Sequence, residues 1–83
     1  MQLAENEMRS REHNLYLIDF GLNLRRIRKA HHISMENLAF ESDIDYRQIG
    51  RIERGEVNTT IVSLLRISEV LHIDIKLLFN FCI

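Results

Sequence analysis

Three arginines, Arg47, Arg51 and Arg54, recur at spacings of four and three residues, with Tyr46 just ahead of the first. A guanidinium is a planar fork of N–H donors. It matches two kinds of partner in two-pronged fashion: the O6 and N7 edge of a guanine, or the oxygens of a phosphate. A tyrosine hydroxyl can donate to a phosphate, and its ring can stack on a thymine methyl. At about 100° per residue these three arginines fall within about 60° of one another on a helix. Ile49 and Ile52 point to the opposite side. A helix over 46–54 would therefore be anchored by two isoleucines and present Tyr46, Arg47, Gly50, Arg51 and Arg54 outward. Gly50 costs about 1 kcal/mol of helix propensity relative to Ala, which a close approach to a duplex would offset. An arginine-rich face is also what an ordinary solvated helix shows, and the residues of this face alone leave both readings open.

The elements around this segment are expected to be short helices. The 83 residues contain no proline and three glycines, Gly21, Gly50 and Gly55, which favours an all-α fold with short connections. Phe20, Leu24 and Ile27 have helical spacing, with Asp19 as the expected N-cap of a first helix over about 20–31. Ser34 is expected to cap a second helix over 35–42. Asp43 suits the left-handed backbone of a sharp turn, Asp45 caps the third helix, and Gly55 ends it. Thr60 caps a fourth helix that His72 ends, and Asp74 caps a last one over 75–81. Residues 1–19 are expected to form a partly ordered arm, and 20–83 the folded domain. Two short helices joined by a tight turn form a helix-turn-helix unit, whose second helix packs on its domain by one face and enters a major groove by the other.

Composition narrows the function classes. The net charge is -1, which does not announce a polyanion partner. Its distribution matters more than its sum. Residues 1–19 carry Arg9 and Arg11 against Glu5, Glu7, Glu12 and Asp19, a balance of -2, so residues 20–83 carry +1. Arg25, Arg26, Arg28 and Lys29 make one basic cluster there. Arg25, Arg26 and Lys29 are either phosphate contacts flanking a groove or solvated surface. The single cysteine, Cys82, excludes an intramolecular disulfide and suits a reducing cytoplasm. His13, His31, His32 and His72 lack the partners and spacing of a metal site. No nucleophile stands with a credible base and acid, and no phosphate loop occurs. A non-enzyme without cofactor, metal or small-molecule ligand is expected. No apolar run approaches the ~20 residues of a membrane span.

The last segment is rich in large apolar side chains that cannot all face one side of a helix. Leu77, Leu78, Phe79, Phe81 and Ile83 are therefore expected to form a homodimer interface, with the short run Leu15–Ile18 as a further candidate.

Residues 20–79 resemble the Cro/phage-repressor-like helix-turn-helix domains, the XRE family, with a five-helix lambda-repressor-like fold. The resemblance runs in order through Phe20-Gly21, Leu24-Arg25, Ile27-Arg28, Ile33-Ser34, Leu38-Ala39, Ile44, Ile49, Ile52-Glu53-Arg54-Gly55, Asn58, Thr60, Leu64-Leu65, Leu71 and Leu77-Leu78. Its most specific piece is RIERGEVNTT, residues 51–60. Size and layout are similar to restriction–modification controller proteins. The resemblance implies a regulator of transcription, binding a palindromic operator on double-stranded DNA as a homodimer. It implies base contacts from Tyr46, Arg47 and Arg51. Met35 and Asn58 stand where the family holds phosphates, and Gln48, Arg54, Thr60 and Arg25 are further candidates for the DNA backbone. It also implies a structural ion pair between Arg28 and Glu53. Two positions depart from the family pattern: Met35, where Gln is usual, and Asp43, where Gly is usual. The alternative is an antitoxin-like interaction module whose main partner is another protein.

Overall fold

The computed structural model describes residues 2–81, with side chains from Arg11 onward. It contains four α-helices: α1 (Gln2–Ala30), α2 (Met35–Ser42), α3 (Tyr46–Glu53) and α4 (Ile61–Leu71). A short 3-10 helix, Ile75–Phe79, follows. The described residues include no strand. The all-α expectation and the order of elements hold, and the fifth helix is a single 3-10 stretch. Cys82 and Ile83 lie outside the described residues.

The first helix departs from expectation. It begins at Gln2, and Asp19 sits half-buried within it. Asp19 is therefore not an N-cap, and residues 2–19 continue the same helix. Nothing before Gly21 breaks a helix. An aspartate in a helix interior costs only a fraction of a kcal/mol, so a lone Asp is a weak stop.

Elsewhere local chemistry sets the boundaries. The Ser34 hydroxyl accepts from the Asn37 amide, the Asp45 carboxylate from Arg47, the Thr60 hydroxyl from Ser63, and the Asp74 carboxylate from Lys76. Each cap satisfies one of the amides that a helix start leaves without an internal partner. The helices end alike, on a left-handed residue: His32, Asp43, Gly55 and His72, with φ of 56°, 56°, 71° and 55°. At each end the next residue's amide returns to a carbonyl five positions back, as in Ile44 to Ala39 (3.1 Å) and Glu56 to Arg51 (2.9 Å). The His32, Asp43 and His72 side chains tolerate this backbone at a cost of about 1 kcal/mol each.

Every element contributes to one core. Leu24, Leu38, Ile49, Ile67, Leu71 and Leu78 are fully buried. α1 packs on α3 and on the 3-10 helix, α2 on α3 and α4, and α4 on the 3-10 helix. Asn23, on α1, is buried, and its amide donates to the carbonyls of Leu77 (3.0 Å) and Leu78 (2.9 Å). Phe79 lies 5.0 Å from Phe20 and Phe81 lies 5.1 Å from Tyr16, measured between ring centroids. The C-terminal segment is thus pinned to α1 by one amide and three ring contacts, the third being Phe20 with Phe81.

Two glycines allow α1 and the end of α3 to approach closely. A Cβ on Gly21 would meet the Ile52 and Glu53 carbonyl oxygens at 2.4 Å. A Cβ on Gly55 would meet the Ile18 Cα at 2.5 Å, at a φ that already favours glycine. Gly21→Ala would gain about 1 kcal/mol in helix propensity, yet the clash should reverse the sign. Equilibrium unfolding in urea is expected to show a net loss of about 1–3 kcal/mol.

Candidate nucleic-acid interface

α3 divides as its spacing predicts. Ile49 and Ile52 are buried in the core, whereas Tyr46, Arg47, Arg51 and Arg54 are exposed. Gln48 is half-buried. An open cleft of about 290 Å³ gathers Met35, Tyr46, Arg47, Gly50, Arg51 and Arg54. The start of α2 and the outer face of α3 therefore form one surface, with three guanidinium groups around a shared concavity. That arrangement suits a polyanion: several fixed cations reinforce one another's field along the route of a sugar–phosphate chain.

Gly50 does not serve as expected. It is buried, and the side chains of Arg54 and Met35 cover it. A Cβ there would lie 2.9 Å from the Arg54 Nη1 and 3.3 Å from the Met35 Cε. The missing side chain makes room for these two groups, and no bare backbone faces outward. Met35, which lacks the hydrogen-bonding group of glutamine, packs against α3 instead.

Arg54 is not a free cation. Its Nε donates to the Glu56 carboxylate across an exposed ion pair. This hydrogen bond holds the Glu56 carboxyl below its ordinary range against the opposing effect of desolvation, and the charges of Arg54 and Arg51 add to it. Arg54 is raised in turn by the same bond. Sequence reasoning missed Glu56. The available signal was its place directly after Gly55, where the helix-ending turn fixes the backbone within reach of residue 54.

The remaining candidates lie outside the cleft. Asn58 is exposed and borders a shallow hollow with His13, Asn14, Tyr16 and Leu17. Thr60 is exposed and committed to capping α4, its hydroxyl accepting from the Ser63 amide at 3.1 Å. Arg25 is exposed on α1. The described residues include no group of His, Cys, Asp and Glu able to hold a metal, and no helix among them is long and apolar enough to cross a membrane.

Arg28 and Glu53 are brought together as expected. The Arg28 Nε and Nη2 donate to the two Glu53 carboxylate oxygens at 2.6 and 3.1 Å, and Nη1 donates to the Ile33 carbonyl at 2.9 Å. The two side chains are 8% and 5% exposed. The pair joins α1 to the last residue of α3 and takes no part in the outer surface.

The C-terminal candidates separate. Leu78 is fully buried and has no surface to offer a partner. Leu77 and Phe79 are exposed, and Phe81 is half-buried against α1. On α4, which packs on the 3-10 helix, Ile61, Val62 and Leu65 are also exposed, Ile61 by 76%. The buried face of α4 is Leu64, Ile67, Ser68 and Leu71.

This architecture has known counterparts. A family profile described as Helix-turn-helix (HTH_3) matches residues 24–78, and the chain belongs to that family. Among characterised relatives, control protein C.BamHI of Bacillus amyloliquefaciens is 38% identical over 63 residues, covering 75% of this chain and 78% of its own. The crystal structure of the restriction-modification controller protein C.AhdI from Aeromonas hydrophila superposes with a TM-score of 0.75 at 40% identity, covering 76% of this chain and 96% of the other. An HTH_3 family transcriptional regulator from Vibrio cholerae gives the same TM-score at 25% identity, over 81% of this chain and 38% of the other.

Removing either partner of the buried pair should strand a charge. Glu53→Ala is expected to destabilise the domain by about 3–5 kcal/mol, a large share of the ~5–15 kcal/mol that holds a small domain together. Thermal unfolding followed by circular dichroism measures it.

Proposed function

We propose that this chain is a sequence-specific DNA-binding regulator of transcription that acts as a homodimer. α3 lies in the major groove of each half of a palindromic operator. The carrying observation is the split of α3: two isoleucines buried beneath it, and Tyr46, Arg47 and Arg51 exposed around one cleft. The helix is held by its own domain, so its arginines meet a duplex in one orientation. Arg47, Arg51 and Tyr46 read bases. Phosphates are held by Arg54, with Met35, Gln48, Asn58, Thr60 and Arg25 as further contacts. Amides of the first turn of α2, which begins at Met35, favour an anion through their unpaired N–H groups and the helix dipole. Similarity to controller proteins of restriction–modification systems supports genes of that kind as the target.

The dimer surface combines Leu77 and Phe79 with Ile61, Val62 and Leu65 of α4, which are apolar side chains left in solvent by the monomer. Phe81 borders it. Two-fold pairing sets the two α3 helices about 34 Å apart, one turn of duplex.

Selection of bound duplexes from a random pool tests base reading. Arg47→Ala and Arg51→Ala should each weaken binding by about 1–3 kcal/mol and relax one position of the selected site. Unchanged selection by both variants would overturn the assignment. Sedimentation equilibrium tests the interface separately. A Leu65→Asp, Leu77→Asp variant is expected to be a folded monomer, whereas Leu78→Asp should unfold the domain because that side chain fills the core.

A further inference from the structure

One acidic side chain stands among the arginines of the outer surface. Glu56 is not on a loose loop. Its amide donates to the Arg51 carbonyl at 2.9 Å and the Gly55 amide to the Ile52 carbonyl at 3.1 Å, the two bonds that close the end of α3. The backbone of residue 56 is therefore fixed against the helix, and its carboxylate reaches back to the Arg54 Nε. Arg54 in turn lies over Gly50, the Nη1 occupying space that a side chain at position 50 would need. The guanidinium thus sits in the wall of the cleft lined by Tyr46, Arg47 and Arg51, already bound to an anion of the protein itself. Both partners remain more than half or about half exposed, at 59% and 50% of their side chains, so a second anion can reach them.

We infer that Glu56 is an internal substitute for a DNA phosphate: it occupies Arg54 in the free protein, and a duplex takes Arg54 over by displacing the carboxylate. This inference rests on the reading of α3 as the groove-facing helix. A carboxylate and a phosphate oxygen accept from a guanidinium with the same geometry, so the exchange needs no rebuilding of the site. The carboxylate also keeps Arg54 extended over Gly50 before DNA arrives. Exposed ion pairs are weak, and breaking one shifts an equilibrium by up to about fivefold. Every duplex presents phosphates, so Glu56 lowers affinity for all sequences alike and leaves base choice to Arg47 and Arg51.

The test is a double-mutant cycle on the full chain with a fluorescent duplex carrying the selected site. Kd is measured across a range of salt concentrations for the natural chain, Glu56→Gln, Arg54→Ala and the double variant. Glu56→Gln is expected to tighten binding about three- to fivefold and to steepen the dependence of log K on log salt by up to about one. In the Arg54→Ala background the same substitution should gain less than about 1.5-fold, because no cation remains to be released. The selected sequence should stay the same, and thermal unfolding shows that each variant is folded. An equal gain in both backgrounds would mean plain repulsion between carboxylate and phosphate, and would overturn the exchange. Weaker binding by Glu56→Gln, or no change, would overturn it as well. Arg47→Ala separates the two levels. If Arg47→Ala weakens binding and Glu56→Gln does not tighten it, this inference alone falls. If neither Arg47→Ala nor Arg51→Ala changes affinity, the reading of α3 fails and this inference falls with it.

Discussion

The contact between α1 and the end of α3 governs the rest of the molecule. Arg28 grips Glu53 with two hydrogen bonds, and its third nitrogen holds the Ile33 carbonyl. Charges taken out of water are tolerable only when their hydrogen-bonding capacity is filled, and this guanidinium meets that condition on three sides. Gly21 and Gly55 bring the two backbones close enough for the grip. Ile49 and Ile52 of α3 are buried in the common core. A helix of eight residues would not hold its shape alone in water. Here both its facing and its C-terminal end are set by a 29-residue partner.

That mounting explains how a chain of net charge -1 can offer a cationic surface. Glu53 is consumed inward by Arg28, and Arg47, Arg51 and Arg54 are left outward around one cleft. The acidic excess lies in residues 1–19, which carry -2 against +1 for residues 20–83. The field that a polyanion meets depends on placement, and the sum over the chain hides it.

Much of this was legible in the sequence where one residue decides one local outcome. Ser34, Asp45, Thr60 and Asp74 announce their caps, Gly55 and Asp43 their left-handed turns, and the period of 46–54 its two faces. What was hidden depends on approach in space. Gly21 looks like an ordinary weak helix residue until the Ile52 and Glu53 carbonyls are placed against it. Asn23 interrupts an apolar stripe without naming its partners, which lie more than 50 residues away. Gly50 has the open position that its spacing predicts, but two side chains from positions 35 and 54 close over it. Leu78 could not be told from Leu77, because a five-residue stretch is too short for its apolar pattern to show which face turns inward. Asp19 is a capping residue type with no breaker beside it, so α1 runs through it back to Gln2.

The Asn23 amide couples the core to the outer apolar surface of the C-terminal segment. Its two hydrogens tie the strand of backbone that carries Leu78 inward and Leu77 and Phe79 outward. Core plug and outer apolar surface therefore ride on the same five residues and cannot be released separately. A partner that covered Leu77 and Phe79, as in the proposed dimer, would also tighten the seat of Leu78. In the proposed dimer, self-association and the docking of the tail would be one linked equilibrium, and the population of fully closed domains would rise with the amount of protein present.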